Sequence, residues 1–268
     1  MLLRILSAVV LVPAVLAGVV HANPWTFLVA LAIIGTLCLH EYFSLMRAMG
    51  LVAQPAFGYV SFWVLMIGLH GRWIPTEPLI AGLLIAGFLA AMWRRVPLRD
   101  RAQGLMANLL GLVYPGLFLY TAVPVRFSFG EERGLQWLIV LLFVVWAGDT
   151  VALFTGKSLG RSAFAPMISP NKTNEGAFGG LLGGVGIAVL LQQWLFTQLP
   201  LVHVIALAAL SGAFGQLGDL AESLLKRAAE VKDSSKLIPG HGGVLDRIDS
   251  LLFALPVTYL YLLFLYRH

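Results

Sequence analysis

The chain has 268 residues, of which 59% are hydrophobic and only 12% charged, with a formal net charge of +5 at pH 7. Soluble domains carry about 25% charged residues, so the composition excludes a soluble globule and defines an integral membrane protein. The apolar runs far exceed the ~10 residues of a barrel strand, which selects an all-α, polytopic transmembrane fold over a barrel.

Nine spans are expected, at about residues 5–20, 24–46, 55–70, 78–93, 104–124, 135–155, 176–195, 201–219 and 250–266. Several are shorter than the ~20 residues of a perpendicular helix. Residues 1–22 read either as a signal peptide ending near Val20-His21-Ala22 or as a retained first helix. The apolar spans that follow at once favour the second. In the second span the lone Cys38 has no partner cysteine and reads as a small apolar residue. His40-Glu41 opens like a zinc-protease motif, but Ser44 stands where the second histidine belongs. Glu41 is costly inside a membrane and needs a partner or a polar cavity, so its expected role is a structural hydrogen bond.

Two regions differ in content. Residues 1–135 are spans with short loops and few acidic residues, an expected lipid-facing scaffold. Residues 136–268 hold the concentrated polar features, with cytoplasmic loops expected at 156–175 and 220–250. Asp149 is an acid within the sixth span. Gly156-Lys157-Ser158 resembles the end of a Walker A motif, but its first glycine position holds Val151. The loop Ser169-Pro170-Asn171-Lys172-Thr173-Asn174-Glu175-Gly176 has two readings. Ser169, Lys172 and Thr173 suit phosphate oxygens, and Thr173 with Glu175 also suits a capped helix start. Gly176, Gly180 and Gly184 recur every four residues, the pattern of close helix packing rather than of a phosphate loop.

Asp219, Glu222, Ser223, Lys226 and Glu230 share one helical face where the eighth span emerges. A solvated, ion-paired face explains Glu222 with Lys226 but not Asp219, which follows a long uncharged run. Residues 223–249 are the densest polar stretch, with five Lys/Arg (Lys226, Arg227, Lys232, Lys236, Arg247) and four Asp/Glu. Within it, Pro239-Gly240-His241-Gly242-Gly243 offers backbone N–H groups to an anion. Asp246 and Asp249 then share a face in the opening turns of the last helix, suited to a metal or to the helix dipole. With Asp219 as a third carboxylate, the set points to Mg²⁺ beside phosphate.

With the N-terminus inside, fourteen of the eighteen Lys/Arg fall on the inner side. This predicts N-in/C-out with the polar stretch facing the cytoplasm. The bias also explains the net charge without a nucleic-acid partner.

From Ser223 to Asp249 the pattern Ser-x-Leu-Lys-Arg-x4-Lys-Asp-x-Ser-x2-Ile-Pro-x-His-Gly-Gly-Val-x-Asp-Arg-Ile-Asp resembles the signature of the phosphatidate cytidylyltransferases, or CDP-diacylglycerol synthases. The resemblance extends to Asp149 and the Ser169–Gly176 loop, where Asn171 replaces a lysine common in the family. Residues 1–135 match only in the number of spans. The resemblance implies that CTP and phosphatidic acid give CDP-diacylglycerol and pyrophosphate, a step of phospholipid biosynthesis. It also implies Mg²⁺, with room for a second monovalent or divalent cation, and a homodimer.

Under that resemblance Asp219, Asp246 and Asp249 are the expected metal ligands, and Ser223 and Lys226 join them in the catalytic set. Ser169, Lys172, Thr173, Arg227, Lys232, Asp233, Lys236, His241, Gly242, Gly243 and Arg247 are expected at substrate, with Asp149, Glu175 and Glu222 in support. The expected setting is a bacterial cytoplasmic (inner) membrane. The other readings are a CTP-dependent enzyme acting on a polyprenyl or archaeal lipid, and a cation-coupled transporter using Glu41, Asp149 and Asp219. Transport, however, does not call for a basic cytoplasmic cluster, and no inverted repeat is found.

Overall fold

A computed structural model of the chain describes residues 2–238 and 242–266, with side chains from Leu11 onward. Among these residues the helices are α1 (Leu2–His21), α2 (Pro24–Ala48), α3 (Pro55–Gly71) and α4 (Thr76–Met92), α5 (Leu98–Phe127), then α6 (Glu131–Leu159), α7 (Asn174–Trp194), α8 (Leu201–Ala228) and α9 (Leu245–Phe264). Six of them, α2 and α5 to α9, are long and apolar enough to cross a membrane. The third and fourth expected spans are shorter apolar helices, as is the part of α1 from Leu11. Within α5, a π-helical turn covers Leu112–Leu117 around Pro115. Proline has no N–H to give the ladder, and its ring crowds the preceding turn.

Among the described residues, the two strands lie where a polar loop was expected. β1 (Ala163–Ala165) and β2 (Ser169–Thr173) pair antiparallel, with Ala163 opposite Thr173 and Ala165 opposite Ser169. The cause is local. The Glu175 carboxylate accepts from the Arg161 and Ser162 N–H groups at 3.1 and 3.3 Å, and the Asn174 N–H donates to the Ser162 carbonyl at 2.9 Å. Together they draw the ends of the segment into a hairpin.

The chain forms two compact units. The first holds residues 2–24, 121–224 and 248–266. Its core includes Trp137, Val140, Leu141 and Val144 from α6, Ala188 from α7, Val204 and Leu207 from α8, and Leu252 from α9. The glycine stripe of α7 lies against α6. A side chain at Gly180 would meet Ala152 Cβ and the Gly148 carbonyl at 2.8 Å, and one at Gly184 would meet the Val144 carbonyl at 3.0 Å. Glycine lets the two backbones approach without a layer of side chains between them.

The second unit holds residues 25–120 and 225–247. Its core joins Cys38, Leu39, Tyr42 and Met46 of α2 to Phe62, Leu65 and Met66 of α3. The Tyr42 hydroxyl donates to the Ala107 carbonyl of α5 at 2.8 Å. Asn108 and Gln54 exchange a reciprocal pair of hydrogen bonds, each 2.8 Å, that fixes the start of α3.

Candidate active site

Two polar clusters emerge, one in each unit. In the first unit Lys172, on β2, reaches Asp219 Oδ2 of α8 at 2.5 Å, and Ser223 Oγ lies 3.3 Å from Asp219 Oδ1. Asp249 lies within electrostatic reach of Asp219, Glu222 and Asp149. α8 and α9 touch here: a side chain at Gly218 would strike the Asp249 carbonyl. Asp149 also borders a cavity of about 10 Å³ with Gln216 and Ser250, roughly room for one water. Four carboxyl groups so placed suit an oxygen-seeking cation. Among the described residues, though, no three acidic, His or Cys side chains are already gathered as metal ligands.

The hairpin residues divide by task. Thr173 Oγ1 accepts from the Gly176 N–H at 3.1 Å and caps α7. Glu175 also takes the Ser162 hydroxyl at 3.1 Å. Both residues therefore hold the hairpin, which is the capped-start reading. Lys172 is turned to Asp219, while Ser169 and the exposed Asn171 lie on the same strand.

In the second unit the hub is Asp246. Its Oδ1 meets Lys226 Nζ at 2.6 Å. Its Oδ2 accepts from the Ser234 N–H at 2.9 Å, the Ser234 hydroxyl at 2.8 Å and the Gly243 N–H at 2.7 Å. Two expectations change as a result. The Gly243 N–H, expected to face a substrate anion, is spent on Asp246. Asp246, expected as a metal ligand, has both oxygens engaged by donors from its own chain. Arg227 reaches back to the Val231 carbonyl at 3.0 Å, and Gly242 adopts φ +81°. Arg227, Lys232, Asp233, Lys236 and Arg247 are exposed. His241 lies outside the described residues.

α8 ends in a turn where the Glu230 N–H donates to the Arg227 carbonyl and the Val231 N–H to the Lys226 carbonyl, at 3.0 and 2.9 Å. Glu230 takes the left-handed position usual for glycine, φ +58°.

Sequence reasoning gave Ser234 and Ser235 no role, although Ser235 stands within the Ser223–Asp249 pattern. It foresaw a hydrogen bond for Glu41 but not its partners: the Ser235 hydroxyl and the N–H groups of Val244 and Leu245, with Ser234 Oγ 3.0 Å away. A signal was present. A buried carboxylate needs donors, and the first turn of a helix carries spare ones.

The long apolar helices define an integral membrane protein, and its clustered carboxylates, lysines and exposed cations are residue types that suit metal ions and phosphates. Known proteins narrow that class. A sequence profile described as "Cytidylyltransferase family" matches residues 2–265, and the chain belongs to that family. It is 31% identical to the phosphatidate cytidylyltransferase of Staphylococcus epidermidis over 96% of this chain and 95% of that one. It is 34% identical to that of Synechocystis over 98% and 96%. With that of Bacillus subtilis it shares 40% identity over 150 residues, 56% of this chain and 55% of that protein.

Proposed function

We propose that the chain transfers the cytidylyl group of CTP to phosphatidic acid, giving CDP-diacylglycerol and pyrophosphate. The observation that carries this reading is its 31–34% identity, along 96–98% of its length, to proteins named phosphatidate cytidylyltransferase. An oxygen of the lipid phosphate bonds to the α-phosphorus of CTP as the bond to the bridging oxygen breaks, and pyrophosphate leaves. That oxygen is ionised near neutral pH, so the chain's main task is to overcome anion repulsion and to align the reactants.

Exposed Arg227, Lys232, Lys236 and Arg247 supply cations for the triphosphate, the lipid phosphate and the leaving pyrophosphate. Lys172 and Ser223 flank Asp219 and position rather than attack. Asp219 and Asp249 would hold Mg²⁺, with a second cation alongside. When bound, the ion neutralises phosphate charge.

The remaining features of this reading are nine spans, N-in/C-out, a site facing the cytoplasm of a bacterial inner membrane, and a homodimer. The Lys/Arg bias supports the orientation, and the family resemblance supports the dimer.

Detergent-purified protein given phosphatidic acid, CTP and Mg²⁺ tests the reaction. Pyrophosphate and CDP-diacylglycerol should appear together and both vanish with EDTA. Folded protein that yields neither product sinks the reading.

A further inference from the structure

We infer that Glu41 is a positioning residue for the reaction proposed above, on which this inference rests: from α2 it fixes Ser234, Ser235, Val244 and Leu245 and, through them, the Lys226–Asp246 pair. Glu41 is 1% exposed, within a helix long and apolar enough to span a membrane. A carboxylate there persists only if its charge and lone pairs are answered.

They are answered from one direction. Oε1 accepts from the Ser235 hydroxyl at 2.7 Å and the Val244 N–H at 2.9 Å. Oε2 accepts from the Leu245 N–H at 2.7 Å and lies 3.0 Å from Ser234 Oγ. The two N–H groups stand at the start of α9, among the donors that a helix cannot satisfy within itself. The positive end of the α9 dipole adds a favourable field for the anion. Glu41 thus caps α9 from about 200 residues away in sequence.

The link to the site runs through Ser234. Its Oγ lies 3.0 Å from Glu41 and 2.8 Å from Asp246 Oδ2, and Asp246 Oδ1 in turn holds Lys226 at 2.6 Å. Gly243 completes the fit, because a side chain there would strike both Ser234 Oγ and the Glu41 carboxylate. Being buried, Glu41 acts through these groups rather than on substrate.

Glu41→Gln tests the inference, because its amide NH₂ turns a donor toward donors. Two readouts are taken on folded protein: kcat and KM for each substrate, and hydrogen exchange of peptides covering 234–248. The expected result is a kcat lowered about 10- to 100-fold, the scale on which misplacement of catalytic groups acts. KM for each substrate should stay within about twofold while exchange across 234–248 quickens. Loss of activity without faster exchange, or wild-type behaviour in both, overturns the inference. A KM effect with kcat intact also overturns it.

Should Glu41→Gln not fold, Ser235→Ala removes a single donor. It should quicken the same exchange and lower kcat about 2- to 5-fold, and wild-type values in both overturn the inference. Exchange is independent of the assigned reaction. If the wild-type chain makes no CDP-diacylglycerol yet Glu41→Gln still loosens 234–248, the anchor stands and the functional reading fails.

Discussion

The two polar clusters use the same residue types for different ends. Around Asp246, a carboxylate is saturated: a lysine, a hydroxyl and two backbone N–H groups take both its oxygens. Around Asp219 and Asp249, carboxyl groups face other carboxyl groups within electrostatic reach, with Lys172 on Asp219. A saturated carboxylate fixes a chain segment. A group of mutually repelling ones keeps an appetite for cations. Charge density in the sequence does not distinguish the two, and donor geometry does.

The sharpest break of this comparison is Asp219→Asn or Asp249→Asn. Each should cut cytidylyl transfer by about 10³-fold, several kcal/mol of barrier, while the melting temperature in detergent moves little. Initial rates against Mg²⁺ concentration check this, and near-normal turnover in folded protein would remove these residues from the metal assignment.

Next comes Lys226→Met, which leaves Asp246 buried without its cation and should cost about 3 kcal/mol of stability. Adding Asp246→Leu should restore much of that stability but not activity. Unfolding curves beside rate measurements separate the two effects.

Gly180→Val pushes α7 off α6 and should cost about 2 kcal/mol, read by thermal unfolding. Lys232→Ala and Lys236→Ala alter exposed side chains. They should raise KM for CTP about threefold in a salt-dependent way, with no change in melting. The smallest effect is expected of Glu230→Gly, which relieves the left-handed backbone at the end of α8 and should raise the melting temperature by about 2 °C.

Much of the fold was legible because it is written in short-range patterns. The long apolar runs became helices, and α8 and α9 extend past their hydrocarbon into the polar stretch. The glycine stripe packs as its four-residue spacing implied, and Thr173 caps α7 as the pairing of Thr173 with Glu175 allowed. The hairpin at 163–173 was not legible, because it depends on where the Glu175 carboxylate points rather than on strand propensity. Nor was the saturation of Asp246: one of its donors, Ser234, is shared with Glu41, 193 residues earlier in the chain. A partner at that distance leaves no periodic trace.

The packing of α7 on α6 bears on how the protein can move. Gly176 abuts Ala152, Gly180 abuts Gly148 and Gly184 abuts Val144, while Thr155 and Val151 of α6 press on Gly179 and Gly183. Each pair advances by four residues, so the side chains of one helix sit like pegs in the notches of a rack. A slide of one residue would put pegs on teeth, and the next fitting register lies about a turn away, roughly 6 Å along the axis. Sliding between these two helices is therefore a poor route for any motion in turnover. The pair should travel as one beam, carrying Asp149 and the Lys172 hairpin at its end, with flexing left to segments outside it.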